Sequence, residues 1–293
     1  GDQASDKEYI GRVKYMKKVG IVACSDAQKE EYRNQNEELI EFFDSIGIRS
    51  VMSTCIYESE GDFSCSPKEK AEQLMKLFND SVIEEIYDIS GGDMANQILD
   101  YLDYKRIAES KAIFWGYSDL TTVINAIYTM TGKASVLYQV KNMTSFGNSS
   151  DLQRKRFQNR EELFSPVFEV VQGSTMKGIV VGGNIRCFLK LAGTRYFPDL
   201  ENKILLLEAL GGEVPQMVTY LAQLKQIGAF EKVNGIILGT FTAMEKNHCI
   251  PDIVTLVKKY AHPETPIAVT MDIGHGDNAT GCVLAEIDDH SQM

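Results

Sequence analysis

A two-part α/β fold is predicted, on three observations. Short apolar runs alternate with amphipathic stretches from Val19 to about Met143. A second set of apolar runs, separated by helical patterns, fills the later part of the chain. The length of 293 residues exceeds what a single core ordinarily supports. The expected division is an N-terminal unit over residues 1–150, a connector over 151–175 and a C-terminal unit over 176–293.

The first unit opens with an apolar strand, Val19 to Ala23, and an amphipathic helix, Glu30 to Ile46. A strand Ser50 to Cys55, a helix Lys68 to Asn79 and a strand Val82 to Ile89 follow. This β-α-β-α-β rhythm implies a parallel sheet covered by helices, with reactive groups at the carboxyl ends of its strands. Asp93 to Leu102, the run Ala112 to Trp115 and a helical pattern through Leu120, Val123, Ile124 and Ile127 extend it. Trp115 lies in a strand and is expected in the core. Between Lys141 and about Gln172 the chain turns polar, with Gly147 to Ser150 and a basic run from Arg154 to Arg160, which reads as a linker with a short helix. Strands are then expected at Gly178 to Val181, Ile204 to Leu207, Gly235 to Thr240, Ile267 to Met271 and Cys282 to Ile287. Helices are expected at Gln216 to Ile227 and Ile253 to Tyr260. The second half is therefore mixed α and β, with a strand order that pattern alone does not give.

Hydrophobic residues at 44% and charged residues at 24% fit a globular chain and exclude a disordered or collagen-like one. The net charge of −11 disfavours binding to a phosphate backbone, so no nucleic-acid partner is expected. No apolar stretch approaches the roughly 20 residues of a bilayer crossing. No membrane partner and a cytoplasmic location are the expectations, although Gly1 at the start leaves a removed leader open. The six cysteines show neither metal-ligand spacing nor a disulfide framework and read as reduced thiols, with Cys55 and Cys65 bridging only in an exported chain. No metal site is expected.

Chemistry concentrates at strand ends. In Phe114-Trp115-Gly116-Tyr117-Ser118-Asp119-Leu120 an apolar strand gives way through a glycine to a serine just ahead of a helix. That placement presents Ser118 as a nucleophile beside backbone N–H groups, although position 120 is not the glycine of a Gly-x-Ser-x-Gly elbow. The competing reading makes Ser118 or Asp119 a helix cap. Of the four histidines, His248 and His262 sit beside prolines in loops and His290 in a polar tail. His275 follows a strand within Asp272-Ile273-Gly274-His275-Gly276-Asp277, where flanking glycines let a second group approach the ring. Glu208 ends the run Ile204 to Leu207, and a carboxylate there is costly to bury without a partner. It is either that partnered acid or an exposed strand-end glutamate. Ser90-Gly91-Gly92-Asp93 can cradle an anion or an oxyanion. Gly182-Gly183-Asn184 reads as a tight turn or an active-site loop. Dinucleotide, P-loop and zinc-protease motifs do not occur.

Taken in order, these motifs resemble the serine peptidase family that contains the LD-carboxypeptidases and the microcin C immunity proteins. The resemblance runs from Val19 to about Ile287 and rests chiefly on Gly116-Tyr117-Ser118-Asp119 with the late Gly274-His275-Gly276. It implies an N-terminal Rossmann-like domain, a C-terminal domain with a swivelling, barrel-like β core, and an active site between them. Ser118 resembles the family nucleophile, His275 its base and Glu208 the acid that holds the histidine. Gly92 and Asp119 match its oxyanion donors, and Asn184 is the one expected substrate contact. No metal or organic cofactor is implied. Ala23-Cys24-Ser25-Asp26 and Arg186-Cys187-Phe188 depart from the family pattern and bear on specificity. The partner is then a small peptide or a peptidyl nucleotide, in a protein expected to form a homodimer. Three activities follow: removal of a terminal D-amino acid from an L-centre in a muropeptide, cleavage of a microcin-like aminoacyl or peptidyl nucleotide, or ligand binding without chemistry, with Ser118 only a cap.

Overall fold

The computed structural model describes residues 9–10, 13–285 and 287–289. A small antiparallel ribbon, β1 (Tyr9–Ile10) and β2 (Val13–Lys14), precedes the first sheet. That sheet is built from β3 (Lys17–Val22), β4 (Ile48–Met52), β5 (Glu85–Asp88), β6 (Ile113–Gly116) and β7 (Ser135–Leu137), all paired in parallel. β5 is buried along its whole length and β3 over its last four residues, as expected of strands covered on both faces. The helices α1 (Arg33–Ser45), α2 (Pro67–Phe78), α3 (Tyr104–Glu109) and α4 (Thr121–Thr131) make the crossovers. α2 starts on a capping box, with Ser66 and Glu69 satisfying each other's backbone N–H groups. Strand order runs β7-β6-β5-β3-β4, so the direction of winding reverses between β3 and β5. A crevice opens beyond the carboxyl ends of strands at such a reversal.

The polar stretch after β7 is folded rather than extended. It forms α5 (Ser150–Gln158), α6 (Arg160–Leu163) and β8 (Glu169–Gln172). Arg160 anchors it to the first sheet, its guanidinium donating to both Glu85 oxygens at 3.0 Å and lying 4.8 Å from the centroid of Trp115. Trp115 is buried, edge-on to Tyr87 and Tyr138, in the core position expected of it.

The second sheet contains β9 (Lys177–Asn184), β10 (Ile204–Ala209), β11 (Gly235–Phe241) and β12 (Ile267–Val269) in parallel, with β8 antiparallel along β12. The helices α7 (Ile185–Leu189) and α8 (Val214–Gln226) pack on it. The expected single strand Cys282 to Ile287 is two. β13 (Cys282–Leu284) pairs with β7 in the first sheet, whereas β14 (Ile287–Asp289) pairs with β9 in the second. Ala285, at φ +65°, turns the chain between them and donates its N–H to Val180 O at 2.7 Å. The six strands run β14-β9-β10-β11-β12-β8, and the two outer strands are not paired with each other. Among the described residues the second sheet is therefore open, with an antiparallel strand at each edge, and no closed barrel is formed. No helix among the described residues is long and apolar enough to cross a membrane.

The two sheets are joined by α4 lying against β9. Gly182 and Gly183, expected in a turn or loop, are inside this strand at φ +108° and +130°. A Cβ on Gly183 would stand 2.7 Å from Thr121 Oγ1, and one on Gly182 only 2.2 Å from Leu206 O. Through that gap the Asn125 side chain pairs with Gly182 as a strand would, donating to its carbonyl at 2.9 Å and accepting from its N–H at 3.1 Å. Thr121 Oγ1 accepts from Asn184 N at 3.1 Å.

A second correction concerns the thiols. Glu60 and Phe63 exchange backbone hydrogen bonds across a tight reversal, which brings the Cα atoms of Cys55 and Cys65 to 5.6 Å in a disulfide. Cys24, Cys187, Cys249 and Cys282 are free.

Two outcomes test this architecture. Gly183→Ala forces a side chain into the α4 contact at a φ that favours glycine, so unfolding in urea should show a loss of about 1–3 kcal/mol. Wild-type stability would mean that the contact is not close in solution. Replacing Cys55 and Cys65 by serine should cost at most about 3 kcal/mol, the loop-closure value for so short a loop. Thiol titration of the unfolded, unreduced wild-type chain should find Cys55 and Cys65 unreactive.

Candidate active site

The strand β6 ends at Gly116, where a Cβ would press to 2.7 Å on Leu120 Cβ, so the chain can fold back sharply only with glycine there. Tyr117 is extended and Ser118 follows at φ +56°, a strained backbone for a residue with a side chain. Its hydroxyl is thereby lifted off the sheet ahead of α4. Leu120, which replaces the second glycine of the usual elbow, is fully buried and packs against Gly116.

The second lobe supplies what meets it. Ser118 Oγ lies 3.1 Å from His275 Nε2, and His275 Nδ1 lies 2.7 Å from Glu208 Oε2. Glu208 is 0% exposed, so it is the partnered acid and not a solvated strand-end residue. Its carboxylate also accepts from Asn184 Nδ2 at 3.2 Å. With the carboxylate as acceptor, Nδ1 carries the proton and Nε2 faces the serine as the free base. His275 is held by packing as well. Tyr117 lies edge-on to its ring, with centroids 5.1 Å apart. Burial, reinforced by the Glu208 charge, keeps the Tyr117 phenol protonated well above its ordinary range. Gly274 sits where a Cβ would fall 1.6 Å from Thr240 Oγ1, so the first glycine of Gly274-His275-Gly276 is there for closeness of approach.

Beside the serine, Gly92 turns at φ +122° with Asp26 stacked where its Cβ would be, 2.2 Å from Oδ2. Asp26 Oδ1 accepts from the Asp93 and Met94 N–H groups, both at 3.0 Å, and fixes this loop. Below it lies the buried Asp119 carboxylate. It accepts from Ser25 Oγ at 2.7 Å, Ala95 N at 2.8 Å and Lys190 Nζ at 2.6 Å. Asp88, also buried, accepts from Cys24 N at 2.8 Å and from Ser90 Oγ at 2.6 Å. Burial outweighs those hydrogen bonds and raises the Asp88 carboxyl to about 6. From the second lobe Arg186 pairs with Asp93 at 2.8 Å, so the glycine loop is gripped from both sides.

Ser118, His275 and Gly92 line one cavity of about 370 Å³ over the carboxyl ends of β3, β5, β6 and β7, roofed by Leu210, Gly274 and Thr280 from the second lobe. Asn184, the expected substrate contact, does not line it. Its Oδ1 accepts from Cys187 N at 3.1 Å to cap α7 and its Nδ2 is given to Glu208, so the side chain points into the protein. Sequence reasoning missed the far wall, made by Gln28, Tyr32, Lys141 and Phe146. Lys141 fell in the supposed linker, and only its apolar neighbours Val140 and Met143 hinted at burial. Among the described residues no cluster of three or more His, Cys, Asp or Glu could hold a metal ion.

A strained serine facing a histidine that is paired with a buried carboxylate defines a hydrolase-like site. The sequence matches the LD-carboxypeptidase N-terminal domain over residues 19–138 and the LD-carboxypeptidase C-terminal domain over 177–286, and the chain belongs to this family, peptidase S66. It is a peptidase by that membership. A Bacillus subtilis relative named a murein peptide carboxypeptidase is 27% identical over 243 residues, covering 80% of this chain and 73% of that one. Among solved structures, muramoyltetrapeptide carboxypeptidase from Oxalobacter formigenes superimposes with a TM-score of 0.78 at 20% identity, covering 93% of this chain and 94% of that one. The microcin C7 self-immunity protein MccF, bound to aspartyl sulfamoyl adenosine, superimposes with a TM-score of 0.81 at 19% identity, covering 93% and 92%.

The Asp88 environment gives a pH dependence. Folded Asp88 keeps its proton to higher pH than an unfolded aspartate, so its contribution to stability is greatest below about pH 4 and is lost as pH rises through about 6. Urea midpoints measured from pH 4 to 7 should fall more steeply for wild type than for Asp88→Asn. Parallel curves would show that Asp88 titrates normally.

Proposed function

We propose that the chain is a serine carboxypeptidase of the LD type, cleaving the amide between an L-centre and a terminal D-amino acid in muropeptides. The observation that carries this is the unbroken chain of contacts from Ser118 through His275 to the buried Glu208, at 3.1 Å and 2.7 Å. In this reading Ser118 Oγ attacks the scissile carbonyl carbon as His275 Nε2 takes its proton, and Glu208 stabilises the imidazolium. The N–H groups of Gly92 and Asp119, which enter none of the described backbone hydrogen bonds, face the oxyanion. The C–N bond breaks as His275 returns the proton to the departing amine. Water, deprotonated by the same histidine, then opens the acyl ester and restores the serine. Turnover of cell-wall fragments is the setting that fits such a substrate; the Cys55–Cys65 disulfide speaks against the cytoplasmic location expected from the sequence.

A second reading is cleavage of an aminoacyl or peptidyl nucleotide, favoured by the likeness to MccF with its sulfamoyl adenosine ligand. Against it, the only tryptophan in the chain, Trp115, is in the core and 2% exposed, so no indole is offered to a base in the cleft. The third reading, a non-catalytic binding module, leaves the partnered burial of Glu208 without a purpose.

Incubation with a muropeptide tetrapeptide and with a peptidyl-nucleotide conjugate separates the readings. The first predicts release of the terminal D-residue, and turnover of the conjugate alone would remove it. Ser118→Ala and His275→Ala should each lower kcat by about 10⁴- to 10⁶-fold, and Glu208→Gln by about 10³- to 10⁴-fold, with thermal unfolding intact. Near-wild-type rates in any of the three would refute the triad.

A further inference from the structure

The far wall of the cleft carries a cation that the chemistry above does not use. Lys141 lies in the short turn Val140–Met143 after β7 and is 2% exposed. Its Nζ donates to Gln28 Oε1 at 2.8 Å and stands 4.3 Å from the Tyr32 ring centroid and 4.4 Å from that of Phe146. Among the described residues no carboxylate lies within ion-pairing distance of it, whereas Lys190 and Arg186 near the same site are paired with Asp119 and Asp93. An ammonium withdrawn from water costs several kcal/mol, and one amide oxygen with two aromatic faces offsets only part of that. Burial lowers its pKa to about 8, which leaves it charged at neutral pH. The remaining charged groups on the lining are otherwise committed or outside: Asp26 is held by two backbone N–H groups, His275 by Ser118 and Glu208, and Lys29 is exposed.

We propose that Lys141 is the residue that recognises the terminal carboxylate of the substrate, with Tyr32 and Phe146 shielding the ion pair from water. This rests on the peptidase reading and makes it specific. An exopeptidase must tell a chain end from an internal residue, and the free carboxylate is the chemical difference between them. A peptide that continues past the residue to be released brings an uncharged amide to a buried ammonium, so the site rejects it by leaving the cation uncompensated.

The test uses the full chain with Ser118→Ala, so that ligands bind without turnover. Its affinity is measured by calorimetry for a synthetic tetrapeptide ending in L-lysyl-D-alanine, for the same peptide as its terminal carboxamide, and for adenosine monophosphate. The acid should bind about 10- to 100-fold more tightly than the amide. Adding Lys141→Met should bring that ratio close to one, and Lys141→Arg should recover part of it. The melting temperature of the Lys141→Met protein should be no lower than that of its parent, since a buried charge has been removed. Lys141→Gln supplies the same comparison should the methionine variant misfold. Equal affinities for acid and amide, absence of binding to either, or a variant that melts lower and weakens both alike would each overturn the assignment. So would adenosine monophosphate binding that depends on Lys141 without an acid-over-amide difference, which would give the ammonium to phosphate. Hydrolysis of the peptide acid by the wild-type chain tests the peptidase reading separately, and can succeed while the carboxylate assignment fails.

Discussion

Everything reactive in this molecule depends on how closely α4 can lie against β9. Ser118 belongs to the first sheet, whereas His275 and Glu208 belong to the second, and a hydrogen bond between lobes tolerates only tenths of an ångström. A displacement of about 1 Å is enough to cost a hundredfold in rate. Gly183 removes the side chain that would hold α4 away, Gly182 lets β9 pass close to the Leu206 carbonyl of β10, and Asn125 then completes the backbone pairing of Gly182 from a helix. Three further ties act across the same boundary: Lys190 on Asp119, Arg186 on Asp93, and the end of the chain, which pairs first with β7 and then with β9. Such multiple fixing describes a site pre-set for attack more than one assembled by hinge closure.

The buried acids divide the labour of that fixing. Glu208 has a histidine and an amide as partners, and its link to Ser118 runs through His275. Asp119 sits under the serine turn with a lysine, a hydroxyl and a backbone N–H, so its charge is paired and its geometry held. Among the described residues Asp88 has only hydrogen-bond donors and no cation as a direct partner, and burial is accordingly the dominant influence on its proton affinity. Both lower aspartates act on loops: they orient Cys24, Ser25, Ser90 and Ala95 around Gly92. Two buried carboxylates are costly to keep, and what they secure is a fixed placement of the segments on either side of Gly92.

Much of this was legible in the sequence because it was written in local pattern. Alternating apolar runs gave the first sheet, and Ser118, Glu208 and His275 each stand where an apolar strand ends, which is a one-dimensional signal. What pattern could not carry was partnership between distant segments. The run Cys282 to Ile287 looks like one strand because nothing in its residues says that two sheets will share it. Asn184 looks like a substrate contact because an asparagine after two glycines suits a loop, and its true orientation is set by Glu208 on a neighbouring strand. Cys55 and Cys65 bridge because a reversal at Glu60 and Phe63 brings them together, a closure that their spacing permits and does not require.

The walls of the cleft are separable from its chemistry. Gln28, which holds Lys141, is itself held by the disulfide-closed segment: its N–H donates to Ile56 O at 2.8 Å and its carbonyl accepts from Glu58 N at 3.1 Å. Gln28, Lys141, Tyr32 and Phe146 thus form a wall built wholly from loops of the first lobe and backed by a covalent staple, while histidine and acid arrive from the second lobe. That wall shares no residue with the Ser118–His275–Glu208 contacts. In this chain the wall offers a buried cation between two phenyl-type rings and no indole, a combination suited to a small carboxylate more than to a stacked base.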